Sequence, residues 1–179
     1  LPYSEEALQH ISERIAVTQD ILGEQILLEN ASAYVSYSES TMDEVEFLAE
    51  LAQLADCKIL LDVNNLYVNN INLATNLDDL LERLPIERVA EIHLAGYEAV
   101  ADHAGPAFLL DSHSRPVSDP VWALFEQLVT RLYDVPVLVE WDNDIPPLST
   151  LLNEAHKAQR IIDRQRVRAL QAARDSAEP

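Results

Sequence analysis

Six side chains that bind metals or carry protons stand near the ends of short apolar runs: Glu29, Asp62, His93, Asp111 with His113, and Glu140. Carboxylates gathered in one place lose hydration and repel one another, so they are held together mainly where protons or cations neutralise them. A cluster of metal ions would neutralise all of them at once. Mixed imidazole and carboxylate ligation suits iron, manganese or zinc, whereas magnesium and calcium favour all-oxygen sites. Cys57 is the only cysteine, so neither an intrachain disulfide nor an all-cysteine metal site can form.

In Asp111-Ser112-His113 the outer residues are two apart. On a strand they would project to one face and could serve neighbouring metals. After Asp62 the chain leaves its strand, and either Asn64 or Asn65 could add a neutral oxygen ligand or orient a carboxylate. The rest of the asparagine-rich run Asn64–Asn76 reads as turn and loop. A lone strand-end acid is ordinarily a helix cap or a solvated residue, and a lone histidine a hydrogen-bonded core residue. Donor-type residues at all five strand ends carry the metal reading. Asp142 reads as a group that holds a ligand from behind, and His103 as a loop residue near the mouth that could contact substrate. Cys57 reads as a small buried hydrophobe, Trp122 as packing, and His10 and His156 as helical residues away from the ring.

The elements that must position these groups alternate along the chain. Runs rich in Ile, Leu and Val, at Gln25–Asn30, Lys58–Asn65, Val89–Gly96, Ala107–His113 and Pro136–Asp142, read as strands buried on both faces. Amphipathic helices lie between most of them. Ser4 caps the first and Gly23 ends it. Ser40 with Asp43 gives a capping-box-like start to the second. A short helix over Leu77–Leu84 stops at Pro85. Another is opened by Ser118 and Pro120, and the last follows Pro146-Pro147 and runs to about residue 174.

Strand then helix, repeated, predicts parallel strands joined by crossovers, in either a doubly wound sheet or a (β/α)8 barrel. An open sheet concentrates its site at one switch point, whereas a barrel collects groups from many strand ends around a ring. Five consecutive strands offering donors favour the TIM barrel. Such a barrel needs eight strands and roughly 250 residues, so 179 residues with five strands are expected to be a fragment covering about strands four to eight. Residues 1–163 would form those five βα units and 164–179 a basic helical tail. An isolated fragment would expose sheet edges, and is expected to self-associate and to bind metal weakly.

The composition excludes several classes. With 31 acidic and 12 basic side chains the formal charge is −19, and an acidic surface repels a phosphate backbone, so nucleic acid is not an expected partner. Divalent or trivalent cations are. No apolar run is long enough for a membrane span and no secretory signal pattern opens the chain, so no membrane role and a cytoplasmic location are expected. Residues 1–156 hold 28 acids against 6 bases, and the remainder 3 acids against 6 bases, which reads as a solvated basic helix lying against an acidic body.

Five strings taken together carry a resemblance: Leu27-Leu28-Glu29-Asn30 with Ser32 and Tyr34, Leu60 to Val68 (LLDVNNLYV), Glu91 to Gly96 (EIHLAG), Leu110-Asp111-Ser112-His113, and Val139-Glu140-Trp141-Asp142. In order and spacing they are similar to the multinuclear non-heme iron-dependent oxidative enzymes, a family that includes the methanobactin biosynthesis oxidase. The similarity covers residues 1 to about 163. It implies a TIM barrel that binds two or three iron ions and uses dioxygen to modify cysteines in a ribosomally synthesised precursor peptide, commonly with a partner protein that presents the peptide. Carried over, the metal ligands would be Glu29, Asp62, Asn65, His93, Asp111, His113 and Glu140, with Asn64 competing for the role of Asn65. The family takes two further histidines from earlier strands, which this chain lacks; Tyr97 stands where a histidine often follows Ala-Gly, and Ser114 replaces a frequent glycine. A divalent-metal hydrolase or isomerase of the xylose-isomerase-like barrels, and a non-enzymatic acidic metal-binding module, are the other classes these residues allow.

Overall fold

The computed structural model describes residues 1–100 and 108–175. Helix α1 (Glu5–Leu22) begins where the Ser4 side chain accepts from the Ala7 amide and ends at Gly23, whose φ of 71° is the left-handed conformation that glycine adopts without a Cβ clash. Strand β1 (Leu27–Glu29) follows, then α2 (Glu44–Leu54). Asp43 caps α2, accepting from Glu46 N, so the capping-box start at Ser40 is corrected: the Ser40 hydroxyl instead accepts from the Tyr3 amide.

Strand β2 (Lys58–Asp62) runs directly into α3 (Val63–Leu73), with Asp62 as the last strand residue and the helix cap at once. The asparagine-rich run is therefore helical to Leu73 and not a loop. Next come α4 (Leu77–Arg83), β3 (Val89–Leu94), β4 (Glu98–Val100), β5 (Phe108–Leu110), α5 (Asp119–Leu132), β6 (Val137–Val139) and α6 (Leu148–Asp175). The chain is thus an α/β protein with a parallel sheet.

Four strands form that sheet in the order β1-β2-β3-β6, every pairing parallel. Asp62 stands in register with His93, and Leu94 with Val139, which brings the carboxyl ends of the strands level. The expected fourth parallel strand is corrected. Phe108–Leu110 pairs antiparallel with Glu98–Val100 in a separate two-stranded ribbon. Its apolar run satisfied the pattern for a strand, but pattern alone does not name the partner edge.

The central strands bury Ile59, Leu61, Ile92 and Leu94 completely. The outer strands do not share this: Leu27 and Leu138 remain exposed, in contrast to the expected burial of every strand on both faces. To the same core α5 contributes a stripe of Val121, Phe125, Leu128, Val129 and Leu132, and α2 contributes Val45, Leu48, Leu51 and Ala52. Cys57 lies in this core, fully buried, as expected for a small hydrophobe. Trp122 packs edge-on to Phe125 and carries Lys157 over its ring at 4.5 Å. No described helix is long and apolar enough to cross a membrane.

Candidate metal centre

The ends of the parallel strands carry the donors. Glu29 is the last residue of β1 and Asp62 of β2, His93 is the penultimate residue of β3, and Glu140 follows β6, its amide donating to the Leu94 carbonyl at 2.8 Å. Asp111 and His113 arrive differently. The ribbon strand ends at Leu110, and His113 adopts a φ of 47°, so strand alternation does not place these two side chains. Backbone bonds do. The His113 amide donates to the Gly96 carbonyl at 3.0 Å, while the His113 carbonyl accepts from Asp142 and Asn143. His113 is thereby seated between the segments that follow β3 and β6.

Ligand atoms of Glu29, Asp62 and His93 all lie within 4.8 Å of one another, and so do those of Asp62, His113 and Glu140. Asp62 belongs to both groups. His93 Nδ1 is 3.2 Å and His113 Nδ1 3.6 Å from the same Glu140 oxygen, so that carboxylate sits between the two rings. Asp111 Oδ1 approaches His113 Nε2 to 2.7 Å and accepts from Asn64 Nδ2 at 2.7 Å. Two acids beyond the expected ligands also reach the rings: Glu91 Oε1 lies 3.3 Å from His93 Nε2, and Asp142 Oδ2 lies 3.4 Å from His113 Nδ1. Asp142 stands where the sequence suggested a supporting group. Glu91 was missed, although its position two residues before His93 on a strand is a usable signal.

Three effects shift the titration of the cluster. Burial pushes the Asp62 carboxyl up to about 7, opposed by the Asn65 amide that it accepts from and reinforced by the charges of Asp111 and Glu29. Desolvation also raises Glu29, against the pull of His93. The Asp111 carboxylate against its ring lifts His113 to about 9.

A metal fits this donor set. Among the described residues, Asp62 Oδ2, Asn64 Oδ1, Asn65 Oδ1 and both ring nitrogens of His113 are buried without a hydrogen-bond partner; the close Asp111 contact lacks hydrogen-bond alignment. Buried polar atoms ordinarily find partners, and four residues with unmatched atoms near the carboxyl ends of the parallel strands are what a ligand set looks like before its ion is counted. Asn64 and Asn65 both present an unmatched oxygen, so both readings of that pair keep a geometric basis. His103 lies outside the described residues. His10 and His156 sit on α1 and α6 and enter neither group.

A sequence profile described as "RiPP precursor modification enzyme MbnB/TglH/ChrH" matches residues 1–163. Among curated proteins, the chain is 49% identical over 162 residues to a UPF0276 protein of Chromobacterium violaceum, covering 90% of this chain and 57% of that one. A UPF0276 protein of Acaryochloris marina is 44% identical over 166 residues, 93% of this chain and 58% of its own length. One of Rhizobium meliloti is 42% identical over 164 residues, 92% and 53% respectively. The chain spans somewhat over half the length of these relatives. With the strand-end donors in place and 163 of 179 residues matched, the chain belongs to the MbnB/TglH/ChrH family of RiPP precursor modification enzymes.

Proposed function

We propose that this chain supplies the strand-end ligands of a multinuclear non-heme iron centre in a TIM barrel. A protein of its relatives' length would use that centre and dioxygen to oxidise cysteine residues of a ribosomally made precursor peptide, presented by a partner protein. The observation that carries the reading is the membership of Asp62 in both ligand groups. A carboxylate common to two donor groups is a natural bridge between two ions, and a single ion would leave one group uncompensated.

In this reading Glu29, Asp62 and His93 hold one ion and Asp62, His113 and Glu140 a second, with Asp111 and Asn65 as further donors. Mixed oxygen and imidazole ligation favours iron, manganese or zinc over the hard cations. When bound, iron supplies Lewis acidity toward the peptide thiolate and one-electron chemistry with dioxygen. The chain's own part is to deliver neutral imidazole and ionised carboxylate. His113, lifted to about 9, carries a proton at neutral pH and must release it to become a donor. Asp62, near 7, must do the same. Asn64 holds Asp111 beside the ring.

The test uses a protein of the relatives' length, loaded with ferrous ion without oxygen and mixed with a cysteine-containing peptide before dioxygen is admitted. Oxygen consumption with a mass change confined to cysteine is expected. An unchanged peptide with no oxygen uptake, or turnover that proceeds with zinc or magnesium in nitrogen, overturns the proposal in favour of hydrolytic or isomerising chemistry.

A further inference from the structure

The side chain of Asn30 makes an unusual set of bonds. Its Oδ1 accepts from the Asp62 amide at 2.8 Å, and its Nδ2 donates to the Asp62 carbonyl at 2.9 Å. Strand β1 ends at Glu29, so this side-chain amide takes the place of the next peptide unit and extends the β1–β2 ladder by one residue on the β2 side. Asn30 is buried at 4% exposure, and Asp62 is fully buried. Its backbone contributes too: the Asn30 carbonyl accepts from Asn65 Nδ2 at 3.0 Å. Asn65 N in turn donates to Asp62 Oδ1 at 2.6 Å, closing a ring of four bonds among Asn30, Asp62 and Asn65.

The ring has a directional consequence. Asp62 spends Oδ1 inside it and leaves Oδ2 free, and Asn65 spends its Nδ2 inside it and leaves its own Oδ1 free. Both remaining oxygens are buried and unmatched. Asn30 thus holds the backbone of Asp62, the residue common to both ligand groups, and meets the side chain of Asn65, while the Asn65 amide turns the Asp62 carboxylate.

We propose that Asn30 is a positioning residue of the metal centre, and that the amide clip between β1 and β2 sets metal affinity and coordination geometry through Asp62. The inference rests on the metal reading above. Groups that orient ligands from behind are ordinarily worth about 10- to 100-fold in metal affinity.

Gln19 provides a matched comparison at the opposite end of the same strand pair. Its Nε2 donates to the Ala55 carbonyl at 2.9 Å and its Oε1 accepts from the Ile26 amide at 3.1 Å, another two-bond side-chain clip, but remote from every candidate ligand. The experiment titrates a protein of the relatives' length with cobalt(II), read by its visible ligand-field absorption, alongside the melting temperature of the metal-free protein. Wild type is expected to bind with a defined spectrum. Asn30→Ala should bind about 10- to 100-fold more weakly with a shifted band. Gln19→Ala should lose melting temperature while keeping the wild-type spectrum and affinity. Asn30→Asp keeps the size and the accepting oxygen but loses the donor to the Asp62 carbonyl; it covers the case in which the alanine variant does not fold, and is also expected to shift the band. Asn30 variants with wild-type affinity and spectrum overturn the inference alone, as does an equal loss of affinity in Gln19→Ala. No cobalt binding by wild type overturns the metal reading together with it.

Discussion

A Cβ atom built on Gly96 would lie 2.1 Å from the carbonyl oxygen of Arg115 and 2.6 Å from that of Pro116. The segment that follows β3 therefore touches the backbone of the segment that carries Asp111 and His113, and the His113 amide bonds to the Gly96 carbonyl at the same place. Both clashes are with backbone, which cannot swing aside as a side chain can. Gly96→Ala is expected to cost about 1–3 kcal/mol or more of stability through overpacking, and to weaken metal binding by displacing His113. Chemical denaturation and a metal titration check both parts; a variant with wild-type values in each would show that the close approach relaxes freely.

His113→Ala should remove one bound ion and leave the other. Its backbone bonds to Gly96, Asp142 and Asn143 do not need the ring, so the fold should persist with a loss of about 1 kcal/mol, typical of a single substitution. Metal stoichiometry by elemental analysis, with circular dichroism as the fold control, decides it. Unchanged stoichiometry would remove His113 from the ligand set.

Glu44 predicts a pH dependence of its own, away from the metal centre. It is held by Asn69, whose Nδ2 donates to both carboxylate oxygens at 2.9 Å, and burial pushes its carboxyl up to about 7. The Tyr3 hydroxyl, half-buried and also subject to the Glu44 charge, is pushed up to about 12. A carboxyl with a folded pKa above its unfolded value binds its proton more tightly when folded. Its stability contribution is therefore intact below about 4.5, falls as pH rises toward 7, and stays low above that. Glu44→Gln mimics the protonated form and keeps an acceptor for Asn69. It should match wild type in acid and exceed it above pH 7, by about 3 kcal/mol at most. Unfolding free energies across pH 4 to 8 test this, and a pH-independent difference between the two proteins would contradict it.

Strand ends were legible in the sequence because an apolar run that stops at a donor is a physical signature: burial along the run, a polar mouth at its end. Glu29, Asp62, His93 and Glu140 all stand where that pattern put them. The helix over Val63–Leu73 was not legible, because asparagine competes with the helix backbone for hydrogen bonds and favours turns in isolation. Tertiary contacts reverse the preference. Asn64, Asn65, Asn69 and Asn72 direct their amides outward to Asp111, Asn30, Ala31 and Leu109, so each amide nitrogen finds an acceptor without unwinding α3. The ribbon β4–β5 escaped for a similar reason. Phe108-Leu109-Leu110 is apolar enough for a buried strand, and Asn72 clips Leu109 through both its amide and its carbonyl away from the parallel sheet. Residues that act by bonding a neighbour's backbone, Asn30 above all, leave no spacing or periodicity to find.

The central claim, that Asp62 is shared by two ions, is tested most directly by the metal stoichiometry of Asp62→Asn. Asparagine keeps the size of the side chain and an oxygen to cap α3 against Asn65 N, so the fold is expected to survive. The metal-free protein of the relatives' length, titrated with ferrous ion without oxygen, is expected to take up at least two ions in wild type and neither tightly in Asp62→Asn. Wild type binding a single ion, or Asp62→Asn keeping one at undiminished affinity, would contradict it.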